Sequence, residues 1–281
     1  MKRRDFLTVG SAALAVLATT ATASAQARER VSQVRERIFG GLRPAASARQ
    51  REFVEVRQYT VKDAEKRTLL VDLLDNALIP ALNRQGIKPV GVFVPIEREE
   101  KYARNVFVVI PHKTAASFVN ANTKLVADAA YMKAAAPIFE TTSKDPVYTA
   151  CDTFLLYNFP TMPVLESPKL GPDRVFQWRF YRSFNIERNV AKIHMFDQGG
   201  ELPLFREVEL NPIFFGDVVA GNRLPALAYL IGCPSMEAHD EAWKTFIAHP
   251  KWAAMKDLPE YADTATEIDR VILTPSSGSQ I

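Results

Sequence analysis

The chain repeats itself at a near-constant offset. Glu55-Val56-Arg57-Gln58-Tyr59 returns 122 residues later as Gln177-Trp178-Arg179-Phe180-Tyr181, and Ile79-Pro80-Ala81-Leu82 returns after 123 as Leu202-Pro203-Leu204-Phe205. Lys124 to Tyr131 returns after 121 as Thr245 to Trp252. Three separated landmarks at one offset mean that a single unit occurs twice. That duplication constrains domain count, architecture and the place of any binding site.

Each unit reads as βαββαβ. In the first (53–160), Phe53 to Thr60 alternates as a strand, and Leu70, Leu73, Leu74, Ala77, Leu78 and Ala81 follow helical spacing with Gly86 as a stop. Val90 to Val94 and Val106 to Ile110 are apolar strands joined by a charged loop, Glu97 to Arg104. A second helix over about 114–135 and a strand over 152–159 complete the unit. The segment 161–174 holds Pro163, Pro168 and Pro172 and predicts an extended linker. The second unit (175–275) predicts strands at 175–182, 212–218, 226–233 and 267–274. Its first helix is interrupted by Gly199-Gly200, and its hairpin turns at Gly221-Asn222. The polar residues 276–281 read as a loose tail.

Lys2-Arg3-Arg4-Asp5-Phe6-Leu7, an Ala-rich stretch and Ala23-Ser24-Ala25 read as a twin-arginine export signal over 1–25, cleaved before Gln26. An uncleaved anchor is the alternative. A periplasmic or secreted location is therefore expected, with no stable membrane span in the mature form. Residues 26–52 form a leader in which Val31, Val34 and Ile38 mark one short amphipathic helix. Removing Lys2, Arg3, Arg4 and Asp5 from 35 basic and 32 acidic residues leaves 32 and 31, a net charge of +1. That balance is no footprint for nucleic acid. Cys151 and Cys233 are the two cysteines, and nothing in their spacing demands a bridge.

A βαββαβ unit folds as a four-stranded antiparallel sheet with both helices on one face, ferredoxin-like. Val106-Phe107-Val108-Val109-Ile110 and Leu227-Ala228-Tyr229-Leu230-Ile231 are apolar at every position, as in strands buried on both faces. The bare face of each sheet therefore needs a cover, and the other repeat is the nearest candidate. The expected fold is α+β: two tandem repeats packed sheet to sheet as an intrachain α+β barrel, helices outside.

Phe53-Val54-Glu55-Val56-Arg57-Gln58-Tyr59 and Pro89-Val90-Gly91-Val92-Phe93 resemble the first two strands of NIPSNAP domains, and Trp243 to Trp252 is similar to that family's Trp-x-x-Phe-x-x-x-Pro-x-Trp helix. The first repeat departs from the helix pattern, with Asn122 and Tyr131 in the Trp places, and the second has Gln177 in place of Glu. The resemblance implies the dimeric α+β barrel fold, normally built from two chains. The wider superfamily includes small monooxygenases and haem enzymes, while this branch has no generally accepted reaction.

Alternation puts Glu55, Arg57 and Tyr59 on one face of the first strand and Gln177, Arg179 and Tyr181 on the matching face of the fifth. If the bulky apolar sets meet the helices, these six polar residues converge inside the barrel. Arginine forks grip carboxylate or phosphate, and tyrosine adds a ring and a hydroxyl. The expectation is a small anionic or aromatic ligand in the lumen, against the alternative that Glu55 and Arg57 only satisfy each other. His112 ends a strand at the barrel mouth and is the catalytic candidate, an acid, base or ligand, unless it is an ordinary loop residue. Trp243, Phe246 and Trp252 read as helix packing before ligand cage. His239 and His249, ten apart, do not share a helix face, and no metal-ligand cluster appears. Four readings follow, in order: an exported small-molecule binder, an oxidoreductase or cofactor-free monooxygenase, a haem protein needing a lumenal axial ligand that the sequence does not place, and an interaction scaffold. No cofactor is identified, and a homo-oligomer stays open.

Overall fold

The computed structural model describes Glu29, Ser32, Gln33 and Glu36 and then residues 50–281. Those four leader positions are helical and exposed, whereas residues 1–25, where an export signal is expected, and Val31, Val34 and Ile38 lie outside the described residues.

The first repeat runs β1 (Phe53–Thr60), α1 (Ala64–Leu73), α2 (Ile79–Arg84), β2 (Gly91–Pro95), β3 (Asn105–His112), α3 (Ala115–Ala127), α4 (Ala129–Ala134), α5 (Ala136–Phe139) and β4 (Ala150–Asn158). A π-helical turn, Leu74–Leu78, joins α1 to α2. The second runs β5 (Val175–Arg182), α6 (Ile186–Asp197), α7 (Glu201–Glu207), β6 (Asn211–Ala220), β7 (Ala226–Cys233), α8 (Met236–Ala248), α9 (Pro250–Lys256) and β8 (Glu267–Pro275). The duplication extends to the helix caps. Asp63 and Asn185 cap α1 and α6, Thr114 and Ser235 cap α3 and α8, and Asp128 and His249 cap α4 and α9, each accepting from a backbone N–H of the first turn. Gly200, at φ 104°, opens α7 after the break that the Gly pair foretold.

The eight strands close into one barrel in the order β1-β3-β2-β8-β5-β7-β6-β4. Within each repeat the fourth strand pairs with the first, the first with the third and the third with the second. The two sheets meet edge to edge at two seams. At one, Phe93, Val94 and Pro95 of β2 face Pro275, Thr274 and Leu273 of β8. At the other, Leu156, Tyr157 and Asn158 of β4 face Val218, Asp217 and Gly216 of β6. A Cβ on Gly216 would lie 2.9 Å from Leu156 Cβ, so glycine permits this close approach. Closure leaves no unpaired sheet edge.

The lumen is a packed apolar core fed by all eight strands. It includes Val54, Val56, Phe107, Phe154, Phe176, Trp178, Phe180, Phe214, Leu230 and Val271. Large faces small across the ladder, as Phe180 faces Ala228. An eight-stranded barrel is just wide enough for side chains to fill it. The expectation that the bulky apolar sets meet the helices is therefore inverted: those sets fill the barrel, and the alternate sets lie outside under the helices. There Tyr59, Val106, Val108 and Ile110 pack on Leu70, Leu74 and Leu78, and Tyr181, Leu227, Tyr229 and Ile231 pack on Phe196, Phe205 and Phe246.

The C-terminal residues are also not loose. Ser276 N–H and Gln280 N–H donate to Val92 and Val90 carbonyls, and Asp75 accepts from Ser276 Oγ (2.6 Å) and Gly278 N (3.0 Å). Ile281 is buried in the lumenal core. Cys151 and Cys233 are both free.

Candidate functional site

With the lumen filled, the six polar candidates do not converge. They divide between two cavities, one in each repeat, between the outer face of the sheet and its helices. The first holds about 290 Å³ and the second about 500 Å³.

In the first cavity the polar groups of β1 are all partnered. Glu55 Oε1 accepts from Arg57 Nε at 2.6 Å, and its other oxygen lies 3.0 Å from His112 Nε2. His112 Nδ1 is 3.0 Å from Ser117 Oγ. Arg57 also donates to Asn122 Oδ1 at 3.1 Å and, at 3.4 Å, to the Tyr59 hydroxyl. Burial acts to raise the Glu55 pKa, but the His112 hydrogen bond and the Arg57 charge outweigh it and hold the carboxyl below its ordinary value. Arg57 is raised in turn: burial opposes its charge, and Tyr59 and Glu55 more than compensate. Burial pushes the Tyr59 hydroxyl up. His112 is fully buried with both ring nitrogens engaged, so it braces Glu55 and touches no open space at the barrel mouth. The wall opposite is apolar, from Leu70, Leu74 and Leu78.

In the second cavity the same backbone positions carry different chemistry. Gln177 replaces Glu55, Cys233 replaces His112, Ala238 replaces Ser117 and Trp243 replaces Asn122. Lys192 and Glu201 stand where the first repeat has Leu70 and Leu78. Arg179 thereby loses both the carboxylate and the amide that hold Arg57. Its guanidinium instead sits 4.6 Å from the centre of the Trp243 ring, and its Nε has no hydrogen-bond partner. Directly across the ladder from Arg179 is Arg270, where the first repeat puts Thr153 opposite Arg57. Side chains directly opposite in an antiparallel pair share a face, and like charges there repel.

Unpartnered buried atoms gather here: Gln177 Oε1, Arg179 Nε, Glu201 Oε2, His239 Nε2 and Trp243 Nε1 all belong to residues lining the second cavity. Lys192 Nζ approaches Glu201 Oε2 only to 3.6 Å, and burial raises the Glu201 carboxyl's pKa despite Lys192 and Arg179. Buried polar groups are almost always paired, because an unpaired one costs about 1–3 kcal/mol. Trp243, Phe246 and Trp252 do pack on the repeat's core as expected, and they also form the cavity's aromatic wall. Glu201, Lys192, His239 and Arg270 were not singled out as a site by the sequence. Aligning the two repeats position by position is the signal that exposes them.

The apolar side chains that fill the lumen include no Cys or Met. Among the described residues no group of three or more His, Cys, Asp or Glu is placed to hold a metal ion. None of the described helices is long and apolar enough to cross a membrane.

No protein-family model and no curated protein matches the chain. Solved structures share its fold. A Lactobacillus acidophilus protein with a provisional monooxygenase designation superposes with a TM-score of 0.54 at 8% identity, covering 80% of this chain and 94% of its own. An anthrone oxidase-like protein gives 0.50 at 12% identity, covering 83% and 94%. A NIPSNAP-like domain protein from Burkholderia xenovorans covers 37% of this chain and 87% of its own, at 18% identity and a TM-score of 0.34. The first two establish a mixed α+β barrel fold of the dimeric α+β barrel type, here supplied by one chain.

Proposed function

We propose that this chain binds a small anionic aromatic molecule in the cavity of its second repeat. One observation carries the reading: buried polar atoms of Gln177, Arg179, Glu201, His239 and Trp243 lack hydrogen-bond partners around that cavity, while Glu55, Arg57 and Asn122, the first-repeat counterparts of Gln177, Arg179 and Trp243, are joined by hydrogen bonds through Arg57 and on to His112. Arg179 and Arg270 supply positive charge, neither of them hydrogen-bonded to a carboxylate as Arg57 is to Glu55, and Trp243, Phe246 and Trp252 supply a ring-sized apolar wall. The arginine and tyrosine candidates thus keep their proposed role in the second repeat, at a site under the helices. The first repeat acts as scaffold.

A small-molecule oxidoreductase or monooxygenase is the second reading. The names of the two fold neighbours favour it, as does a histidine at the same cavity. The opening strand and the Trp243–Trp252 helix support a tandem NIPSNAP arrangement, and the twin-arginine motif supports export to the periplasm or beyond. Replacing Arg3 and Arg4 by Lys should hold the protein in the cytoplasm.

Titrating the mature chain with 2-naphthoate, followed by tryptophan fluorescence and calorimetry, tests the site. The expected result is one molecule per chain, with 2-naphthamide at least about tenfold weaker, as loss of a charged hydrogen bond implies. Equal affinity for the acid and its amide, or no binding of either, overturns the reading.

A further inference from the structure

His239 lies in the first turns of α8, and its ring lines the second cavity. Its Nδ1 is 2.8 Å from Asp240 Oδ1. A carboxylate only accepts, so Nδ1 carries the hydrogen and Nε2 of the neutral ring is left with its lone pair. That Nε2 is buried and has no partner. The counterpart of His239 in the first repeat is Phe118, and that of Asp240 is Val119. The pair therefore occurs only in the repeat where Arg179 lacks a carboxylate.

We propose that His239 is a general base, oriented by Asp240, which takes a proton from an acidic O–H or C–H of the molecule bound in this cavity. The inference rests on the reading of the cavity as a site for an anionic aromatic molecule. In the step, the substrate's O–H or C–H bond breaks and a new N–H bond forms at Nε2. The electron pair stays on the substrate as a phenolate or enolate, stabilised by the positive charge of Arg179 and Arg270. The imidazolium keeps its bond to the exposed Asp240 carboxylate, which balances its charge. A base oriented by a carboxylate and paired with a cation that stabilises the developing anion is the arrangement proton abstraction requires. The groups acting on His239 are Asp240 of its own helix, Arg98 of the β2–β3 connection and Arg179 of β5, with Arg270 of β8 and the Lys192–Glu201 pair on the same cavity. Burial lowers the pKa of His239, the two arginines lower it further and Asp240 acts against them, so the balance favours the neutral ring, the form with a lone pair at Nε2.

The test uses 4-nitrophenol with the mature chain, at a pH where the free probe is protonated and colourless. On binding, the wild type should develop the yellow phenolate band. Calorimetry in two buffers of different ionisation heat should show no proton passing to the buffer, because His239 keeps it. H239Q should bind the probe and lose the band. D240N changes an exposed side chain, keeps the fold and should weaken the band. In the free wild type, imidazole 15N shifts should report Nε2 as the unprotonated nitrogen. Binding without the band, a band that persists in H239Q, or a protonated Nε2 overturns the base while leaving the binding site intact. No binding of either 4-nitrophenol or 2-naphthoate overturns both.

Discussion

Arg57 and Arg179 occupy equivalent places, yet replacing them by methionine should have opposite consequences. Arg57→Met strands the Glu55 carboxylate, which is only 3% exposed and would keep His112 alone. Breaking a buried ion pair from one side costs about 3–5 kcal/mol. Arg179→Met removes a guanidinium whose Nε is unpartnered and which faces Arg270 across the ladder. Relief of the unmet hydrogen bond is worth about 1–3 kcal/mol. Against it stands the stacking on Trp243, about 0.5–2 kcal/mol. The net effect should lie between a loss of about 1 and a gain of about 2.5 kcal/mol. For a domain of this size each kcal/mol moves Tm by about 2–4 °C. Arg57→Met should therefore melt about 6–20 °C lower, and Arg179→Met between about 4 °C lower and about 10 °C higher than the wild type. Scanning calorimetry of the three mature proteins at neutral pH decides it. Equal losses would mean that Arg179 is as structural as Arg57, and the contrast between the cavities would collapse. Arg179→Met should also abolish 2-naphthoate binding.

Gln177→Glu should rebuild the first repeat's ion pair inside the second and compete with the ligand for Arg179. The affinity for 2-naphthoate, read by the same titration, should fall by about ten- to a hundredfold. The Glu55 pKa is depressed in the folded state, so its stabilising effect is present above the ordinary carboxylate range and lost as pH falls through the folded value. The Tm gap between wild type and Glu55→Gln should accordingly narrow on acidification; a gap independent of pH would refute the assignment. Thiol labelling of the native protein should find Cys151 accessible and Cys233 protected until unfolding, the latter buried with its thiol pushed up to about 12. A disulfide found by mass analysis would contradict both free thiols.

Most of the architecture was legible because repetition and alternation are properties of the residues themselves. β1, β5 and β7 fall on their expected bounds, and the 121–123 offset predicted two units with one strand order. What alternation does not encode is which face of a strand meets which layer. Val54 and Val56 suit a helix interface as well as a lumen. The decision comes from closure, since the interior of eight joined strands must be filled by side chains alone, and Phe176, Trp178 and Phe180 do so. The tail went astray for a related reason. Ser276, Gly278 and Gln280 are polar because they bond to β2 and Asp75, and polarity alone does not distinguish a bonded segment from a solvated one. The spacing of His239 and His249 says nothing of His239's role, because its partner is the neighbouring Asp240 and not a second histidine.

When a barrel of this kind is assembled from two copies of one polypeptide, every substitution appears twice, and a change that empties one cavity of partners empties both. Here both halves sit on one chain, so each codon alters one half alone. The Glu55–Arg57–His112 network can stay under selection for folding while Gln177, Cys233 and Trp243 drift away from it. Inherited variation can thus tune the second cavity without touching the half that keeps the barrel intact.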